Sequence, residues 1–210
     1  DWVLAQLFDE GTFAVIDLVL PRRTELKRKA AGVDINYQLL AANVDTAIIA
    51  QACEGDFNPR RLERYLITVR EGHVEHIVLL TKTDLVTDSD LADLKDQIIR
   101  IAPGVDVLTY SMESPESLIE LQKFMQPGLT YCLLGSSGVG KTTITNALLG
   151  DVRFETKTVR EDDQMGRHTT TSRNLVQLPS GALLIDTPGM RELGTMGAES
   201  GIAETFADIE

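Results

Sequence analysis

Eight consecutive residues, Gly135-Ser136-Ser137-Gly138-Val139-Gly140-Lys141-Thr142, limit what this chain can become more than any other stretch of it. The apolar run Tyr131–Leu134 leads straight into them and a helical pattern opens at Lys141. That is the strand, loop and helix context in which glycines let a backbone wrap a diphosphate. Successive N–H groups and the helix N-terminus then face phosphate oxygens. Lys141 is suited to the β- and γ-phosphates, and the Thr142 hydroxyl to the oxygen shell of a Mg²⁺ ion, with Thr143 completing the stretch.

Around that loop, runs of strand length alternate with helical patterns. Ala47–Cys53 reads as a strand. Pro59–Glu71 then carries Leu62, Tyr65, Leu66 and Val69 at helical spacing, opened by Asn58 as cap and closed by Gly72. His76–Leu80 and Val105–Tyr110 read as strands, Ser89–Ile101 and the segment from Ser114 to Met125 as helices. Past the helix that begins at Lys141, the stretch from Asp151 to Arg173 has no apolar period and is dense in charge, which makes it a long functional or disordered loop. Asn174–Leu178 and Ala182–Ile185 follow as strands. Repeated units of this kind predict an α/β fold with a mostly parallel sheet, helices on both faces, and ligands beyond the carboxyl ends of the strands.

The first 42 residues differ. Two β-type runs, Asp1–Phe8 and Phe13–Leu20, lead into a basic stretch containing Arg22, Arg23, Lys27, Arg28 and Lys29. It reads either as a solvated strand-and-loop edge or as the nucleic-acid-facing surface of a small β-barrel. The formal net charge of −12 opposes nucleic acid over most of the surface, so any RNA contact is expected to be local. No apolar run reaches the length of a membrane span and no signal-peptide pattern opens the chain, so the cytoplasm is the default location and a monomer the default state. Cys53 and Cys132 fall on apparent buried strands and are expected to be packed thiols. His73 and His76 are expected to be structural or solvated.

Two further motifs sit at strand ends. Asp186-Thr187-Pro188-Gly189 offers a carboxylate for Mg²⁺ and a Gly189 N–H for a γ-phosphate. In Thr81-Lys82-Thr83-Asp84, an ionised Asp84 accepts both N–H groups of guanine's Watson–Crick edge, while adenine presents an acceptor there. Lys82 would lay its stem along the base, and Ser111-Met112, at the next strand end, would offer a backbone N–H to the guanine carbonyl. The order is reversed from a standard GTPase: the base-reading motif precedes the phosphate loop. The same site can assemble if the sheet keeps its spatial order and the old termini are bridged.

These residues, with Leu20-Pro21-Arg22-Arg23-Thr24-Glu25-Leu26, Ala42-Asn43-Val44-Asp45 and Gly166-Arg167-His168-Thr169-Thr170-Thr171, make the sequence resemble the bacterial ribosome small-subunit-dependent GTPase A family. The resemblance implies a partial OB-fold barrel over residues 1–42 that touches ribosomal RNA and a circularly permuted P-loop GTPase domain over 43–210. It also implies a C-terminal zinc-binding domain whose ligands are not in this sequence. GTP hydrolysis coupled to late maturation of the small (30S) ribosomal subunit is the function it implies, with GTP, GDP and Mg²⁺ as cofactors and the subunit and its rRNA as partners. Thr81 stands where most GTPases have Asn, removing an amide able to bridge the loops. Met190 stands where many GTPases carry a water-orienting Gln, so turnover is expected to be slow without the subunit, with His168 as candidate catalytic group and Thr170 as Mg²⁺ ligand and γ-phosphate sensor. The rival readings are a permuted GTPase of the large subunit, a nucleotide-sensing module without turnover, and an adenine-specific P-loop enzyme.

Overall fold

The computed structural model describes residues 1–29, 37–150 and 174–186. Ten strands and four helices are defined there. The strands are β1 (Val3–Phe8), β2 (Phe13–Val19), β3 (Glu25–Lys29), β4 (Tyr37–Ala42), β5 (Thr46–Ala52), β6 (Glu75–Thr81), β7 (Val107–Tyr110), β8 (Thr130–Leu134), β9 (Asn174–Gln177) and β10 (Leu183–Asp186). The helices are α1 (Pro59–Glu71), α2 (Asp88–Ile101), α3 (Pro115–Phe124) and α4 (Lys141–Leu149).

One six-stranded sheet runs in the order β7-β6-β5-β8-β10-β9. Five strands are mutually parallel, and β9 runs antiparallel on the edge beside β10. The late strand β8 thus inserts between β5 and β10 at the centre. Because the strands are buried on both faces, alternate residues feed two separate cores. Ile49, Val78, Leu80 and Leu134 pack with Leu62, Tyr65, Leu66 and Val69 of α1 and Ile98 of α2. Ile48, Ile77, Leu79, Leu133 and Leu184 pack on the other face with Leu121 of α3 and Ile144 and Leu148 of α4.

Local chemistry sets the helix ends. Asn58 accepts the Arg61 N–H ahead of Pro59 in α1, and Ser114 accepts the Ser117 N–H ahead of Pro115 in α3. Helix α2 starts a residue earlier than its apolar spacing suggests, because Thr87 and Asp90 form a reciprocal capping box. Helix α4 is entered and left through glycines with left-handed backbone, Gly140 and Gly150.

The N-terminal region departs most from expectation. Lys27, Arg28 and Lys29 of the basic stretch lie on strand β3, paired antiparallel with β4, a strand that the sequence pattern does not announce. Strands β1 and β2 form a second antiparallel hairpin, and the two hairpins are consistent with part of a barrel. The β3–β4 hairpin is not a detached edge: Leu26 and Leu40 are buried in the same core as α1. At the join, Glu25 N–H donates to the Gly72 carbonyl, Asn43 N–H to the Thr24 carbonyl, and Thr24 Oγ1 to the Val44 carbonyl at 2.7 Å. Asp45 closes it, accepting the Thr130 N–H at 2.8 Å and pairing with Arg23 at 3.1 Å. Among the described residues, no helix is long and apolar enough to cross a membrane.

Candidate guanine-nucleotide site

Parallel strands bring their carboxyl ends to one edge of the sheet, and this gathers motifs distant in sequence. Strand β6 ends in Thr81, β7 leads into Ser111, β8 runs into Gly135, and β10 ends at Asp186.

The phosphate loop is held from three sides. Gly135 has φ +145 and lies so close to β5 that a Cβ there would sit 2.5 Å from the Ala50 carbonyl oxygen, so only glycine fits. Val139 is fully buried against Ala50 and Ala52. Thr81 Oγ1 donates to the Val139 carbonyl at 2.8 Å and approaches the Gln51 carbonyl at 3.4 Å. The amide usual at this place is absent, as the sequence shows, and the hydroxyl itself bridges β6 to the loop. Lys141 Nζ donates to the carbonyls of Gly135, at 2.6 Å, and Ser136, so the ammonium sits inside the loop's own curve. Ser137 and Gly138 are exposed at the tip, while Gly140, Thr142 and Thr143 open α4 at half-buried positions.

The base-reading side assembles next to it. Lys82 takes left-handed backbone, φ 57 and ψ 41, and starts the 3-10 turn Thr83–Leu85 that carries Asp84. A non-glycine residue in that region is uncommon and costs free energy, which fits a turn held for function. Ser111 Oγ donates to Asp84 Oδ1 at 2.6 Å, joining the ends of β6 and β7. The Ser111 N–H is taken by Ser117 Oγ at 3.1 Å, so the main-chain donor expected from Ser111-Met112 falls to Met112, which is exposed. Cys53, just past β5, is buried, and burial together with the Asp84 charge lifts its thiol to about 11. Burial alone lifts Cys132 to about 12. Both are packed thiols, as expected.

The other expected residues fall into two groups. His168, Thr170 and Gly189 lie outside the described residues, as does the Asp186 side chain, although its backbone ends β10. The basic residues lie on or beside β3, at the other end of the sheet, and carboxylates or an amide accompany most of them. Arg22 pairs with Asp1 and Glu25, Arg23 with Asp45 and Lys27 with Glu25. Arg28 Nε donates to Gln38 at 2.9 Å, and Lys29 pairs through its backbone with Tyr37. Lys27 and Arg22 hold the Glu25 carboxyl below its usual range. Sequence reasoning misses Asp56 and Arg61, which reach the loop through Ser136; nothing within their own turn signals a contact that far along the chain.

A parallel sheet carrying a phosphate loop on β8 and a base-reading turn on the earlier β6 defines a class, the P-loop GTPase domain in circularly permuted order. Two solved structures share this fold: YjeQ from Thermotoga maritima, with TM-score 0.66 and 22% identity over 91% of this chain and 60% of that one, and YloQ, described as a circularly permuted GTPase, with TM-score 0.63 and 24% identity over 99% and 58%. Residues 19–196 match the family model of the RsgA GTPases, and the chain belongs to that family. The protein named small ribosomal subunit biogenesis GTPase RsgA in Xylella fastidiosa strain M12 is 48% identical, covering 100% of this chain and 61% of the relative. RsgA 2 of Vibrio parahaemolyticus is 45% identical, covering 100% and 57%. The chain therefore spans about three fifths of the length of the curated relatives it matches.

Proposed function

We propose that this chain binds and hydrolyses GTP and acts in the maturation of the small ribosomal subunit, binding the subunit and its rRNA. The supporting observation is the convergence of Thr81–Asp84, Ser111 and Gly135–Thr142 at one edge of the sheet, in a chain of the RsgA GTPase family. The residues fit a guanine nucleotide. Gly135 gives the loop a close approach to β5 that a side chain would forbid, and Lys141 already occupies the inside of its curve. In this reading Lys141 exchanges the Gly135 and Ser136 carbonyls for phosphate oxygens, and Asp84, oriented by Ser111, accepts from guanine. Mg²⁺ would neutralise phosphate charge when bound, with Thr142 at the first turn of α4, Asp186 ending β10, and Thr170 as its holders.

Water orientation is the weak step. Met190 cannot hydrogen-bond a water usefully, so the subunit completes the site, with His168 as the candidate group. The paired carboxylates around Arg22, Arg23 and Lys27 make the rRNA contact of β3 a narrow one. The test is phosphate release with and without purified small subunits. A rise on adding them supports the coupling, equal rates remove it, and competition of GTP binding by ATP would reject the guanine reading.

A further inference from the structure

The turn that follows β5 sends a carboxylate to the phosphate loop. Ser136 donates its hydroxyl to Asp56 Oδ2, and the same oxygen lies 2.8 Å from Arg61 Nη2. Arg61 also donates to the Asp56 carbonyl and approaches Gln51 Oε1 at 3.5 Å, on a side chain fully buried in β5. The Arg61 side chain is only 15% exposed. Among the described residues, its Nε and the Gln51 Nε2 have no acceptor. An enclosed guanidinium is costly unless it is paired, and Asp56 is the carboxylate that pairs it.

Asp56 by itself would work against a phosphate bound at this loop. Ser136, which it holds by the hydroxyl, gives its main-chain carbonyl to Lys141 Nζ, so one residue links the carboxylate to the ammonium suited to phosphate. A phosphate meeting that ammonium would carry the same sign as the carboxylate, and like charges in a partly desolvated setting repel strongly.

We propose that Asp56 and Arg61 are a charge-compensated positioning pair for the phosphate loop, an inference that rests on the reading of Gly135–Thr142 as a polyphosphate site. Asp56 fixes the loop's second residue, and Arg61 cancels the carboxylate's charge so that a polyphosphate can approach. The pair's effect is therefore graded by phosphate charge, which a purely structural contact would not be.

The test is a ladder of dissociation constants for GMP, GDP and GTP, measured on the full-length protein at fixed ionic strength. Arg61→Met leaves Asp56 uncompensated and weakens GTP more than GMP, by a factor of roughly three to ten for each added phosphate charge. Asp56→Asn keeps an oxygen for the Ser136 hydroxyl and leaves Arg61 cationic, so it shifts the ladder the other way, favouring GTP over GMP relative to wild type. The double variant restores the wild-type spacing. Uniform weakening of all three nucleotides by both variants, or ladders unchanged in either, overturns the proposal. If Arg61→Met fails to fold, the sign of the Asp56→Asn shift decides alone. Failure of the wild-type protein to bind GDP or GTP overturns the polyphosphate reading itself.

Discussion

Thr81 is 1% exposed, and its hydroxyl is the shortest tie between the base-reading strand and the phosphate loop. Thr81→Val keeps the shape and deletes the donor, leaving the Val139 carbonyl without it; the expected cost is about 1–2 kcal/mol of stability together with a several-fold weaker grip on GDP. Thr81→Ser, which keeps the hydroxyl, is expected to retain most of the affinity. Urea denaturation and a GDP titration on both variants check this, and equal affinities for Val and Ser would remove the bridging role. The two thiols make a second prediction. Folded values of about 11 for Cys53 and about 12 for Cys132, against an ordinary 9.0, mean that the native state holds these protons more tightly than the unfolded chain. That contribution is complete below pH 9 and is lost as pH climbs through 11 and 12. Between pH 9 and 10, stability is expected to fall with a slope approaching about 1.4 kcal/mol per pH unit per thiol. Cys132→Ala should remove one thiol's share of that slope in urea midpoints taken across the window.

Among the described glycines, Gly72, where β3 crosses the end of α1, has the closest backbone neighbour. A Cβ at Gly72 would lie 2.2 Å from the Glu25 carbonyl oxygen, although the Gly72 backbone itself is unstrained. Gly72→Ala must push β3 away and stretch the Glu25 to Gly72 hydrogen bond of 3.1 Å, at an expected cost of about 1–3 kcal/mol. Gly104, with φ +82 and open space around it, isolates the other effect: Gly104→Ala is expected to cost about 1 kcal/mol through backbone strain alone. Thermal melts of the two variants check the ranking, which reverses if β3 is loosely seated. The same crossing explains what the sequence conceals. Helix α1 is legible because its cap, its proline and its buried stripe are local signals. Strand β4 is not: Tyr37 and Gln38 are exposed while Leu40 and Ala41 are both buried, so its pattern is set by where the strand meets α1 rather than by a period of two. At the site, Gly135–Thr142 and Thr81–Asp84 are legible because their chemistry is contiguous. The Ser136 to Asp56 bond spans 80 residues and has no local signature.

For the whole molecule, chain order and site order part company, since β8 comes late in sequence but sits at the centre of the sheet. Its two ends then carry different work: its carboxyl end opens the phosphate loop, and its first residue, Thr130, is tied to the β3–β4 join by Asp45. The five residues of β8 separate those ends by roughly 15 Å at ~3.3 Å per residue. Asp45→Ala strips the acceptor from the N–H of Thr130, a residue 4% exposed, and is expected to cost about 1–3 kcal/mol. Asp45→Asn keeps an oxygen for that N–H and loses only the pair with Arg23, whose side chain is 72% exposed; its expected cost is under about 1 kcal/mol. Because the affected bond lies at the far end of the sheet, GDP affinity of the folded protein is expected to stay within about twofold of wild type in both. Urea melts paired with GDP titrations separate the two readouts. A change in GDP affinity of about tenfold or more on Asp45→Ala would mean that the hairpin end and the nucleotide end are energetically coupled through β8, and the independence of the two ends would have to be given up.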